Sequence, residues 1–303
     1  MRPLLFTTMR KIKYRIQALR LFSLPLSLSG IIMGGLLANA TGSFSWLLFG
    51  LALLTAAALH LTCNLANDVG DYQSGNDTLR SVGYETMLLS GKLSVKDLVI
   101  MIVILTSVAV GAGSALVYLA FKSLFAIRSI FMLLVGLLAI LAAIFYTIGK
   151  KPYGYRALGD LAVFLFFGIA AVAGTFFLLT ESLPTTIFLP AAAMGFMITG
   201  VVNLNNIRDI ENDKKYRKTI PILIGEQNAK HYHTLLVILP FILMVIYNIR
   251  LQRNFTSYFF LILLPFVVYH LIGLYRQKTL TLEKSKLLGG LILITLLFVL
   301  SAL

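Results

Sequence analysis

Apolar residues in this chain come in long runs rather than at every second or every third and fourth position. One run starts at Phe44 and stays apolar until it meets "NLANDVGDYQSGND" at Asn64–Asp77. A helix needs roughly 17–25 mostly apolar residues to cross a bilayer. By that measure the pattern predicts nine spans, over about Leu21–Ala40, Phe44–Leu65, Leu98–Phe121, Ile130–Ile148, Leu161–Leu179, Ile187–Ile207, His233–Ile249, Tyr258–Leu274 and Leu287–Leu303. No soluble-sized segment is left between them. Backbone in lipid must satisfy its own hydrogen bonds, so the expected fold is an all-α membrane protein, one helical bundle over residues 21–303. Residues 1–20, "MRPLLFTTMRKIKYRIQALR", form a separate basic and weakly amphipathic segment. The run after it ends in "LANA", similar to a signal-peptidase site. Twenty residues is long for the charged region of a signal peptide and more spans follow, so this run is expected to be the first span.

Composition agrees: 58% of the 303 residues are hydrophobic and 13% are charged, against roughly 25% charged in a soluble domain. Charge then adds a direction. Of the 26 lysines and arginines, 22 fall in the N-terminal segment and in alternate loops, and 4 fall on the opposite side. The positive-inside rule therefore predicts a cytoplasmic N-terminus in a cytoplasmic (inner) membrane. The net charge of +14 sits between apolar runs with no aromatic-basic groove segment, which points to lipid headgroups and an anionic substrate and not to nucleic acid. Cys63, the single cysteine, cannot form an internal disulfide.

Half of the 12 acidic residues lie in two short windows: Asp68, Asp71 and Asp77 in the first, Asp209, Glu211 and Asp213 in the second. The windows close the second and sixth predicted spans and share Asn-x-x-x-Asp, as Asn67/Asp71 and Asn205/Asp209. Four spans bring the chain back to the same membrane face, which puts both at one mouth. Asn64, Asp68 and Asp71 share a helical face, as do Asn205, Asp209 and Asp213. Carboxylates brought that close repel unless cations lie between them. Carboxylate and amide oxygens are hard donors suited to Mg²⁺ that keeps some water and shares a substrate phosphate. Basic residues flank the acids: Arg80 and Lys92 in the first loop, Arg208, Lys214, Lys215, Arg217 and Lys218 in the second. They can contact phosphate oxygens. A secondary transporter would place its acids nearer the bilayer midplane, and a CDP-alcohol phosphotransferase would carry an Asp-Gly-x-x-Ala-Arg element that does not occur here.

At these residues the chain resembles the UbiA superfamily of intramembrane aromatic prenyltransferases. Three stretches carry the resemblance: "NLANDVGDYQSGND", "YTIGKKPYGYRALGDLAVFLFFG" (Tyr146–Gly168) and "NLNNIRDIENDKKYRKTIPILIGEQNAKHYH" (Asn203–His233). It covers nearly the whole chain and is strongest for the branch that prenylates naphthoate. Gly75 stands where the 4-hydroxybenzoate branch has an acid, and that branch's basic segment after the first motif is missing. The resemblance implies nine transmembrane helices, a polyprenyl diphosphate donor, a 1,4-dihydroxy-2-naphthoate acceptor and Mg²⁺. It implies Asn67, Asp68, Asp71, Asn205, Asp209 and Asp213 as the metal–diphosphate set, with Asn64 as an amide partner. Asp77, Arg80, Lys92, Arg208, Lys214 and Lys218 are the expected further contacts to the donor. The chain departs from the family at Gly83–Thr86, "GYET", where Gly-Pro-x-Arg is frequent; Arg80 or Lys92 is expected to substitute for that arginine. Tyr146, Lys150 and Tyr153, in a cluster with Lys151, Tyr155 and Arg156, are expected at the acceptor, with an interfacial belt of tyrosines and snorkelling lysines as the alternative. His60 is expected to be a packing residue and Asp160 a helix cap.

Overall fold

The computed structural model describes residues 11–75, 86–276 and 281–301. Nine helices follow one another among them: α1 (Lys11–Asn39), α2 (Trp46–Ser74), α3 (Val95–Phe121), α4 (Ile127–Phe145), α5 (Gly159–Thr180), α6 (Thr185–Arg208), α7 (Glu226–Arg250), α8 (Phe255–Arg276) and α9 (Thr281–Ser301). The first eight are long and apolar enough to cross a membrane; α9 holds a shorter apolar stretch, Leu288–Leu300. The chain is thus an all-helical, multi-pass membrane protein. The short turn helix Ile220–Ile224 lies between α6 and α7.

The helix ends follow from local chemistry. Ser45 caps α2, its side chain accepting from the Leu48 amide, and Gly75 ends it in the left-handed conformation at φ 77° that glycine adopts without steric cost. Between those caps α2 runs past the apolar stretch and carries Asn64, Asn67, Asp68 and Asp71 on helical backbone. Ser94 and Asp97 form a reciprocal capping box at the start of α3. Two irregularities lie near the polar ends of the bundle. α1 breaks at Arg20, whose left-handed backbone (φ 52°, ψ 50°) redirects the chain between residues 11–18 and Leu24–Asn39. α5 contains a π-helical stretch, Phe164–Ala170, a local widening often found at functional sites.

Burial sets the order of packing. The apolar window of α6 is 72% buried and that of α4 only 6%, so α6 is the central helix and α4 faces outward. α6 packs against α5, α7 and α9 around a core that includes Met194, Met197, Leu204, Val237 and Phe298. The crossing of α5 on α6 is close because Gly168 meets Gly195: a Cβ on Gly168 would lie 2.6 Å from the Gly195 nitrogen. Small residues at such crossings let helix backbones approach where no hydrophobic force drives them together.

Candidate functional site

The polar ends of α2 and α6 face a single cavity of ≈ 680 Å³. α2 lines it with His60, Cys63, Asn64, Asn67 and Asp71, α6 with Asn205 and Asn206. Arg20 and Ser23 reach it from α1, Tyr146, Thr147 and Tyr153 from the α4–α5 loop, and Arg217 from the α6–α7 loop. Away from this mouth the walls turn apolar, with Ile31, Val117, Met132, Phe166, Phe167 and Leu178. One cavity therefore pairs an oxygen-rich, cation-bearing mouth with a dry well.

The mouth is held by long-range hydrogen bonds. The Thr147 hydroxyl shares its one proton between the Ala66 carbonyl at 3.0 Å and Asn67 Oδ1 at 3.2 Å, which ties the amide to the α4–α5 loop. Gly70 makes room for this contact, since a Cβ there would lie 2.6 Å from Thr147 Oγ1. Asn64 Nδ2 donates to the Leu19 carbonyl at 3.1 Å and to Ser23 Oγ at 3.2 Å, tying α2 to the break in α1. His60 Nε2 lies 2.7 Å from the same Ser23 hydroxyl.

Each described aspartate of the two motifs has a partner. Arg20 pairs with the buried Asp68. The Tyr155 hydroxyl donates to Asp71 Oδ1 at 2.6 Å and lies 3.0 Å from Ser74 Oγ. Arg208 grips its neighbour Asp209 through two nitrogens, at 2.8 and 2.7 Å. Arg217 donates to the buried Asp213 at 2.6 Å. A two-bond backbone ladder places the Tyr155 and Arg217 segments together: Lys218 N donates to the Tyr155 carbonyl at 3.0 Å, and Ala157 N to the Lys218 carbonyl at 2.9 Å.

Electrostatics keep these groups in their donor forms. Burial, and then the charge of Asp71, push the Tyr155 hydroxyl above the ordinary phenol range, so it remains a proton donor. Burial pushes Tyr146 up to about 12. For Arg217, burial opposes the charge, but the Asp213 carboxylate and the more distant Asp71 outweigh it and raise the guanidinium. Arg217 stays cationic at the cavity wall.

Of the residues singled out in the sequence, Asn64, Asn67, Asp71, Tyr146, Tyr153 and Asn205 line the cavity together. Asp68, Asp209 and Asp213 do not line it; they stand behind, bound to arginines. α6 ends at Arg208, so Asp209 sits at the break and Asp213 on a separate turn, Ile210–Asp213. Lys92 is exposed and lies 5.8 Å over the Tyr14 ring, Lys150 and Lys218 are exposed, and Lys214 pairs with Glu211 at 2.7 Å. Asp77 and Arg80 lie outside the described residues. Asp160 makes no cap hydrogen bond; it is buried in the first turn of α5, its carboxylate bonded to Tyr232. His60 lines the cavity, more than the packing role expected of it. Sequence reasoning passed over Arg20 and Thr147 and ranked Tyr155 and Arg217 with their neighbours. Nothing local marks Arg20, Thr147 and Tyr155, because their partners are 48 to 84 residues away; Arg217 does have a local partner, Asp213 four residues before it, but only the fold brings it to the cavity.

The donor set can be tested against the divalent ion expected here. No three His, Cys, Asp or Glu side chains among the described residues form a ready cluster. What the mouth offers is one carboxylate and several amides on facing helices, with three further aspartates behind them. That all-oxygen set fits Mg²⁺, which keeps water and shares phosphate oxygens, and does not fit a closed nitrogen–sulfur site.

A polar, cation-bearing mouth over an apolar well defines a membrane-embedded protein suited to an amphiphile with an anionic headgroup. The chain belongs to the UbiA prenyltransferase family, whose model matches residues 27–299. It is 36% identical over 275 residues to the 1,4-dihydroxy-2-naphthoate octaprenyltransferase of Haemophilus influenzae, covering 88% of this chain and 87% of that one. To the enzyme of the same name from Escherichia coli it is 34% identical over 289 residues, covering 94% and 93%. Among solved structures, the UbiA homolog of Archaeoglobus fulgidus bound to GPP and Mg²⁺ shares the fold with a TM-score of 0.67 at 17% identity, over 95% of this chain and 98% of that one.

Proposed function

We infer that this protein transfers the polyprenyl group of a polyprenyl diphosphate to 1,4-dihydroxy-2-naphthoate, releasing diphosphate and CO₂ and giving a demethylmenaquinol. The observation that carries the reaction class is the single cavity shared by Asn67 and Asp71 of α2, Asn205 and Asn206 of α6, and the cations Arg20 and Arg217. The acceptor comes from the relatives' activity, and the donor class is supported by the prenyl diphosphate in the archaeal neighbour.

The apolar well holds the prenyl chain and the mouth holds the diphosphate. Asn67, Asp71 and Asn205 at the mouth would hold Mg²⁺, backed by Asp68, Asp209 and Asp213 behind them; when bound, the ion neutralises charge on the departing diphosphate. Arg20 and Arg217 face the same phosphate oxygens and are kept in position by Asp68 and Asp213. Tyr155 orients Asp71 and Thr147 orients Asn67. As the allylic C–O bond breaks, its electron pair leaves with the diphosphate. The carboxylate-bearing ring carbon bonds to the allylic carbon, and loss of CO₂ returns the C–C electron pair to the ring. Phe166, Phe167 and Met132 exclude water that would quench the cation. Tyr146 and Tyr153 border the acceptor's place between mouth and well. The bundle crosses the inner membrane nine times with its N-terminus and mouth on the cytoplasmic side, a placement favoured by the 22-to-4 division of lysine and arginine.

The test supplies protein-bearing membranes with Mg²⁺, a polyprenyl diphosphate and either 1,4-dihydroxy-2-naphthoate or 4-hydroxybenzoate. The expected result is prenylated naphthoquinol with equimolar CO₂, abolished by a chelator and restored by Mg²⁺. Product from 4-hydroxybenzoate alone would move the protein to the sister activity. Ion-gradient-driven uptake without any transfer would replace the enzyme with a transporter.

A further inference from the structure

The N-terminal part of α1, residues 11–18, is not used by the chemistry above. One side of it packs on the bundle. Ala18 is fully buried, and Tyr14 and Leu19 join Leu65, Val69, Leu93 and Leu98, at the end of α2 and around the start of α3. Lys11 and Arg15 reach Asp97 at 3.8 and 3.3 Å. The other side presents Ile12 and Ile16, one turn apart and 50% and 51% exposed, next to the exposed Lys13; Phe22, just past the break, is 76% exposed. Because Arg20 redirects the chain, this piece does not continue the line of Leu24–Asn39. Its packing partners set it level with the polar mouth, at the edge of the apolar bundle and not along it.

Exposed aliphatic and cationic side chains on one short helix at that level are the chemistry of a segment lying in the headgroup region of an anionic bilayer. We propose that residues 11–18 form a lipid-sensing element: the helix seats on anionic phospholipid through Ile12, Ile16 and Lys13 and so holds the cavity mouth in shape. The link to the mouth is short. Leu19 offers its carbonyl to Asn64, Ser23 bonds Asn64 and His60, and Arg20 pairs with Asp68 while lining the cavity. A helix lifted off the surface pulls on all three residues. An uncharged surface would supply the aliphatic contact without the attraction for Lys13, and the chain's net charge of +14 makes a negative partner the complementary one.

The coupling to catalysis rests on the prenyl-transfer reading; the seating of the helix does not, and the test separates them. Protein labelled with a nitroxide through Ile12→Cys is placed in nanodiscs of phosphatidylcholine alone or with one part in three of phosphatidylglycerol. Protein without the added cysteine gives the background from the half-buried Cys63. Collisions with oxygen and with a water-soluble nickel complex are expected to place the label about 5–10 Å below the headgroup boundary, deeper with the anionic lipid. Turnover is expected to rise at least about threefold with that lipid, through the cationic side chains near the surface. Ile12→Asp/Ile16→Asp is expected to abolish the rise and leave the melting temperature unchanged, because both side chains point out of the fold. A label in water in both lipids overturns the proposal, as does immobilisation only in discs holding two copies, which assigns the face to a second protein. An undiminished rise in the double variant overturns it as well. Should no preparation transfer prenyl groups, label depth alone decides the seating.

Discussion

Among the described residues, Asp71 is the one motif carboxylate that faces the cavity directly, and Tyr155 is its hydrogen-bond donor. The two side chains differ in what their removal costs. Asp71→Asn keeps the size but deletes a charge from the metal–diphosphate set, so transfer is expected to fall about 10²–10³-fold, the scale of losing one preorganised electrostatic contact. Tyr155→Phe keeps the ring and deletes one hydrogen bond to a charged group, with an expected loss of about tenfold. Single-turnover rates at saturating donor check both; equal losses would mean that Tyr155 does more than orient Asp71. At this scale the sequence was informative wherever a polar residue was out of place. Asn64, Asn67, Asp71 and Asn205 stand out at the ends of apolar runs because ionisable and amide groups there are costly unless they have work to do. Arg20, Thr147 and Tyr155 do not stand out, since a basic terminal segment and a loop tyrosine are ordinary; only the fold brings them to Asn67, Asp68 and Asp71. Lys92 shows the converse. It was conspicuous as a replacement for the family's arginine, yet it extends over Tyr14, and among the described residues the cations at the cavity are Arg20 and Arg217.

Among elements, apolar run length located the spans well and their polar ends less well. α2 continues to Ser74, nine residues beyond the predicted Leu65, because helical backbone needs no apolar side chains once it leaves the hydrocarbon and Gly75 is the first residue to stop it. The break of α1 at Arg20 and the π-helical stretch in α5 left no mark in hydropathy, which records side-chain polarity and not backbone path. That stretch and the close crossing of Gly168 on Gly195 present Phe166 and Phe167 to the cavity. Gly168→Leu is therefore expected to push α5 from α6 and lower the melting temperature in detergent, at a cost of about 1–3 kcal/mol or more for overpacking. Gly111→Leu is the control: nothing lies within 4 Å of a Cβ at the exposed Gly111 of α3, and its melting temperature is expected to stay at the parent value. An equal drop in both would remove the helix crossing as the cause.

For the whole molecule, the two acidic motifs were placed at one mouth by counting spans and basic loops, and the folded chain brings Asn67 and Asp71 to the same cavity as Asn205 and Asn206. The count could reach this result because each span reverses the chain, whatever its packing partners. It could not show that the α4–α5 and α6–α7 loops are joined through Tyr155, Ala157 and Lys218, which is what delivers Arg217 to the site. The account comes down to whether α2 and α6 hold one diphosphate jointly. A double-mutant cycle on Asp71→Asn and Asn205→Ala, read from the Kd of a non-hydrolysable prenyl diphosphate analogue with Mg²⁺ present, measures that directly. The account predicts a coupling of about 1 kcal/mol or more between the two sites; effects that add within about 0.5 kcal/mol would contradict it, because independent sites behave that way.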